Sequence, residues 1–276
     1  MGSTHSTIAQ ADPIGPSHAV HPPKVSLRSS TVNRITFIPL EITQVLGVTA
    51  LLLVLASITG QLLKYIWGHG SVYGLIRLFY VDNEQNITSY FSASLLLLAA
   101  LLLAIITALK KAEHSAYGFQ WALLSFTFLY MAIDEAASIH ELLGEPMHWL
   151  LGQQAGGIFF FSWVIAGIAV AMVFGLSYLK FVLHLPAKTR WRVVIAATLY
   201  LGGAIGMELI GGRYAALHGV ENLAYSMTAT VEESLEMAGV IVFIHTLLNY
   251  IADNYQEIRL RLDHAEERSP SQVPKT

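Results

Sequence analysis

Apolar and polar positions alternate along the chain in long blocks. Six apolar stretches, 42–66, 90–109, 117–142, 157–182, 192–212 and 228–250, are separated by shorter polar connections. Each is long enough to cross a hydrocarbon layer of about 30 Å as a helix of about 20 residues. The pattern predicts an all-α, polytopic membrane protein with six transmembrane helices. Residues 71–81 (SVYGLIRLFYV) are too short to span and are expected to lie as a short amphipathic helix on the outer face of the membrane. No internal repeat stands out.

The flanks differ from this block. Residues 1–33 are rich in Ser, Thr, Pro and His and poor in large apolar groups, so a disordered tail is expected, with His5, His18 and His21 solvated. A cleaved signal peptide is not expected, because no apolar run lies near the start. Residues 250–268 carry mixed charges and are predicted to prolong the last helix with a solvated face. The expected regions are therefore a tail over 1–33, a membrane domain over 34–250, and a helical extension and tail over 251–276.

Composition agrees with the pattern. The chain is 54% apolar and 13% charged, well below the ~25% charged content of soluble domains. A net charge of −3 argues against a nucleic-acid partner. With no cysteine in the chain, disulfides, thiolate metal sites and cysteine nucleophiles are excluded. Basic residues set an expected orientation. Lys24, Arg28, Arg34, Lys110, Lys111, Lys180, Lys188, Arg190, Arg192, Arg259, Arg261, Arg268 and Lys275 fall on one side. Only Lys64, Arg77 and Arg213 of the sixteen fall on the other. The positive-inside rule then places both termini in the cytoplasm, in a multi-pass protein of a plasma or inner membrane.

Against this apolar background, the acids in three of the spans need an explanation. The third span closes on FLYMAIDEAASIHELL, which carries Asp134, Glu135, His140 and Glu141. The fifth carries Glu208 within GGAIGMELIGG, and the sixth carries Glu232, Glu233 and Glu236. With the expected orientation, all of them fall in the outer half of the membrane. Helical phase puts Asp134, Ser138 and Glu141 on one stripe, with Glu135 and His140 flanking it. Glu232, Glu233 and Glu236 share one arc with Ala229 and Gly239. Gly202 and Gly206 form a small-xxx-small pair that suits close helix approach. An acid at the centre of a span costs roughly 2.5–3.5 kcal/mol on the insertion scale. Seven such acids, with no Lys or Arg among these spans, call for shared protons or a bound cation. His140 is the one nearby nitrogen base, with His148 and His218 available from outer loops.

The donor set (Asp134, Glu135, His140, Glu141, Glu208, Glu232, Glu233, Glu236) resembles that of carboxylate di-metal centres in helical bundles, though the Glu-x-x-His spacing is absent. Hard oxygens with an imidazole suit a divalent iron, manganese or zinc ion. The reading favoured at this level is a membrane-embedded metalloenzyme, an oxidoreductase or hydrolase, acting on a lipid or other apolar substrate in the bilayer. The alternatives are a proton- or cation-coupled transporter and a structural membrane subunit. Transport is disfavoured here by the lack of a repeat or of paired broken helices. Other motifs fail. His140-Glu141 opens a zincin-like sequence, but Gly144 stands where the second histidine belongs. Asn86-Ile-Thr88 is a glycosylation sequon close to a span, and His245 has no identified partner for haem ligation. Phe159, Phe160, Phe161 and Trp163 are expected to face lipid or to pack.

Overall fold

A computed structural model describes Gly2 and residues 38–151 and 156–255, except for the side chains of His148 and Leu151. Apart from Gly2, all the described residues belong to one compact unit within 37–276. The tail expected over 1–33 falls outside the described residues, Gly2 apart, as does the extension expected beyond residue 255.

The described part of 37–276 is built of helices and their connections, with no strand among the described residues. It comprises α1 (Pro39–Tyr65), α2 (Leu75–Phe79), α3 (Ile87–Ala112), α4 (Gly118–Ala137), α5 (Gly144–Leu151), α6 (Trp163–His184), α7 (Ala187–Leu201), α8 (Glu208–His218) and α9 (Leu223–Asn254). Single 3-10 turns cover 140–143 and 157–159, and a π-helical segment, 202–207, joins α7 to α8. By length and composition α1, α3, α6, the α7–α8 rod and α9 can each cross a membrane. A sixth span results if α4 and His140–Met147, bent by 85° from each other, count as one.

Local chemistry explains where the helices begin. Pro39 supplies the first turn of α1, where its missing N–H costs nothing. Asn86 caps α3, its Oδ1 accepting from Thr88 N and Ser89 N at 2.9 Å while Ser89 Oγ accepts from Asn86 N at 3.0 Å. Its Nδ2 donates to Tyr80 O and Arg77 O, and the residue is only 4% exposed. The sequon asparagine is thus committed to holding the chain that precedes α3. The amphipathic segment expected at 71–81 is reduced to the five residues of α2, with Ile76 buried under α1 at Gly60.

The central helix is α9, which packs against α1, α3, α7, the π segment and α8, while α3 also packs along α4. Leu95, Leu103 and Ile106 of α3 and Met237, Ile244 and Leu247 of α9 are almost completely buried. On α6, by contrast, Val170, Val173 and Leu176 stand open, an apolar surface suited to lipid. The glycines that allow close approach are not the expected pair. A Cβ at Gly202 would touch nothing, and one at Gly206 would barely touch Leu201 O. At Gly203 it would lie 2.7 Å from Glu232 O, and at Gly239 2.7 Å from Tyr200 N. The i→i+5 turn of the π segment rotates the face that an unbroken helix would have presented.

The third span also departs from expectation. α4 stops at Ala137, and Ser138 takes the left-handed conformation (φ 54°, ψ 41°). Asp134 drives the stop: its Oδ1 accepts from His140 N at 2.7 Å, offering the backbone an alternative to the helical ladder. The stripe of Asp134, Ser138 and Glu141 therefore does not form, and Glu141 lies exposed on the 3-10 turn.

Candidate functional site

The break in α4 builds the first part of the site. Asp134 Oδ2 sits 3.0 Å from His140 Nδ1, so one carboxylate holds both the backbone and the ring of His140. The contact assigns the proton to Nδ1. The imidazole lies 4.7 Å from the ring of Trp163, and Trp163 Nε1 donates to Glu208 Oε1 at 2.8 Å. Ser162 Oγ donates to Gly144 O at 2.9 Å and ties the bent segment to the start of α6. A continuous chain, Asp134–His140–Trp163–Glu208, thus links four elements. Trp163, expected to face lipid or merely to pack, is the hinge of it.

The second part lies along α9. Glu232 comes within hydrogen-bonding reach of the Glu208 carboxyl. Two carboxyl groups that close need a proton or a cation between their oxygens. One turn further, Glu236 and Glu135 line a cavity of about 10 Å³ with Tyr200 and Ser92. Glu233 neighbours Glu135, Glu232 and Glu236. The expected arc on α9 forms: Ala229 and Gly239 are buried on it, and Gly239 meets the backbone of α7 beside Tyr200. Asp134, Glu135, His140, Glu208, Glu232, Glu233 and Glu236 are all half-buried and lie at the same end of the bundle.

The loop before α3 adds a member that the sequence did not suggest. Asp82 lies within electrostatic reach of Glu208, Glu141 and Glu84, and Tyr80 Oη donates to its Oδ2 at 2.9 Å. Asp82 keeps an open face, but protein crowds the rest of it. Burial, chiefly, pushes its carboxyl from an ordinary 3.8 up to about 6; the Tyr80 hydrogen bond opposes the rise and the neighbouring acids add to it. Asp82 sits in a polar loop where an acid needs no explanation, so only its position in space marks it.

Other candidates fall away from this centre. His218 is exposed and stacks on Tyr214, and the side chain of His148 is outside the described set. Both ring nitrogens of His245 are engaged, Nδ1 with Thr43 Oγ1 at 3.0 Å and Nε2 with Asn249 Nδ2 at 3.1 Å, which leaves none for haem. Among the described residues, the ion pairs made by lysine are Lys64–Glu221 and Lys110–Glu113, and arginine makes none. No basic side chain among them pairs with the acids on α4, α8 or α9 except His140. Nor, among the described residues, do three His, Asp or Glu side chains stand together as a ready ligand set for a metal ion.

Comparison with known proteins places the chain without assigning it a role. Residues 45–251 match a family described as a domain of unknown function (DUF8692), and the chain belongs to that family. No curated protein matches it. No solved structure matches it either.

Proposed function

We propose that this member of the DUF8692 family is a membrane transport protein that couples a cation or a proton to its action through the carboxyl groups of α4, α8 and α9. One observation carries the reading: two spans leave regular α-helix where the acids lie, one through a break and the other through a π segment in a continuous rod. α4 breaks at Ser138 beside Asp134 and Glu135, and the α7–α8 rod opens into a π segment immediately before Glu208. Irregular backbone at membrane depth is tolerated where it is buried in protein or lines a cavity, and interrupted helices are a recurring way to build ion sites in transporters. Neither irregularity contains a proline, and each falls inside a stretch apolar enough overall to read as one unbroken span. Acids in this setting, short of basic partners, hold protons or cations at the shared carboxyl pairs.

The test is flux into liposomes reconstituted with purified full-length protein, read with an internal pH dye and with cation gradients imposed. Wild-type protein should dissipate a gradient. Glu232→Gln should slow this about tenfold or more, the effect of ~1.4 kcal/mol at a limiting step. Wild-type liposomes no leakier than protein-free ones to protons, sodium or potassium would sink the proposal.

A second reading, the metalloenzyme acting on a lipid or apolar substrate, is favoured by one detail. Asp134 grips His140 through Nδ1, and Nε2 makes no hydrogen bond among the described residues; a carboxylate on one ring nitrogen is how metal-binding histidines are commonly oriented toward the ion. As arranged, the residues do not fit an iron, manganese or zinc ion, so no reaction step through one follows. Elemental analysis of the same preparation decides the matter: an equivalent of metal lost in Glu208→Gln revives this reading, and its absence retires it.

A further inference from the structure

We infer that Ser92, Glu135, Tyr200 and Glu236 form a binding site for one dehydrated monovalent cation of about the size of sodium, where α3, α4, α7 and α9 meet. The inference rests on the ion-coupling reading above and names its ion.

Three observations converge on this spot. The cavity these side chains line measures about 10 Å³, room for one water-sized occupant and no more. Ser92 is 9% exposed, lines the cavity, and its Oγ has no hydrogen-bond partner. A buried hydroxyl left unpaired is costly, so an orphan facing a cavity marks a missing ligand. The remaining polar lining is two carboxyls and a phenol from three different helices, joined by no Lys or Arg.

The donors select the ion. The polar residues of the lining carry hard oxygens, no histidine lines the cavity and Met237 brings its one sulfur, a set that suits alkali or alkaline-earth ions over the softer transition metals. Magnesium keeps several of its waters, and the cavity has no room for them. Calcium calls for six to eight oxygens, and the four polar side chains carry six in all, so calcium would need every one of them with both carboxyls bidentate. The apolar walls, Leu95 and Val240 among them, exclude a hydration shell. An ion entering must therefore trade its water for these oxygens, which is how membrane sites select by size and field strength. Gly239 brings α9 close against the backbone of Tyr200, which sets where α7 passes the cavity.

The experiment measures saturable ²²Na⁺ binding to the full-length protein in detergent, beside proton flux in liposomes. Potassium and choline serve as competitors, and circular dichroism checks folding of each variant. Wild type should bind sodium saturably. Ser92→Ala, a small change that keeps the fold, should weaken binding by about tenfold, and Glu236→Gln should abolish it. Glu113→Gln, on an exposed helix end, should bind as wild type does. Sodium binding unchanged in both Ser92→Ala and Glu236→Gln would overturn the location. No saturable sodium binding with proton flux intact would overturn the cation site and leave the ion-coupling reading standing as a proton relay. Loss of both in folded wild-type protein would overturn the two together.

Discussion

From Met237 onwards α9 turns Met237, Val240, Ile244 and Leu247 into a core shared with Leu95, Leu103 and Ile106 of α3, and stacks Phe243 on Phe128 at 4.8 Å. From Leu223 to Glu236 the same helix carries three carboxyls, and the elements around it leave regular α-helix: α4 breaks at Ser138 and the α7–α8 rod passes through a π segment at residues 202–207. One half is close-packed and regular. The other is half-buried, acidic and surrounded by irregular backbone. The contrast shows how a single helix anchors a fold at one end and presents chemistry at the other. Stability is concentrated in the apolar half, and the acidic half is tolerated because the rest holds it in place.

The sharpest way to break that contrast is to empty the apolar half. Ile244 is fully buried, so Ile244→Ala should cost about 2–5 kcal/mol and lower the thermal midpoint in detergent by more than any substitution among the acids. A midpoint within error of wild type would mean that α9 is not the anchor.

Next in size is the boundary between the halves. A Cβ at Gly239 would lie 2.7 Å from Tyr200 N and 2.9 Å from Ala196 O, so Gly239→Ala must push α7 away. Overpacking of this kind costs about 1–3 kcal/mol, against ~1 kcal/mol regained from helix propensity. The expected result is a modest loss of stability with a larger loss of sodium binding, because Tyr200 moves with the backbone. Binding preserved at wild-type affinity would separate the cavity from the glycine contact.

The smallest effect is at Asp82, and its sign is fixed by linkage. Its carboxyl has an ordinary value of 3.8 when unfolded and about 6 in the fold. Between those values the folded state holds the extra proton, so stability falls as pH rises through that window and stays lower above it. Asp82→Asn should therefore raise the thermal midpoint at neutral pH. The gain should vanish below about pH 4, where both states of the wild-type carboxyl are protonated. A lower midpoint at neutral pH would mean that the Tyr80 hydrogen bond outweighs the crowding.

Much of this organisation was legible in the order of residues. Long apolar runs and a low charge content are enough to identify membrane-crossing helices, because hydrocarbon thickness fixes their length. Acids at 134–141, 208 and 232–236 stand out against such runs whatever their contacts. The arc of Glu232, Glu233 and Glu236 with Ala229 and Gly239 also formed as periodicity predicts, because α9 is unbroken there. Periodicity failed where the helix itself failed. Asp134 captures the backbone of His140, and the π segment shifts the facing glycine from the expected pair to Gly203.

By itself, then, the sequence determined an all-helical protein with membrane-crossing helices and the positions of acids within them, since both are read directly from composition and run length. The tertiary structure alone decided their company. Trp163 joins His140 to Glu208, Asp82 comes to the acids from a loop, and Ser92 and Tyr200 complete a cavity with Glu135 and Glu236. Those neighbours are set by where helices break and which faces then meet, and a break made by one side chain gripping the backbone six residues on leaves no periodic signal to read.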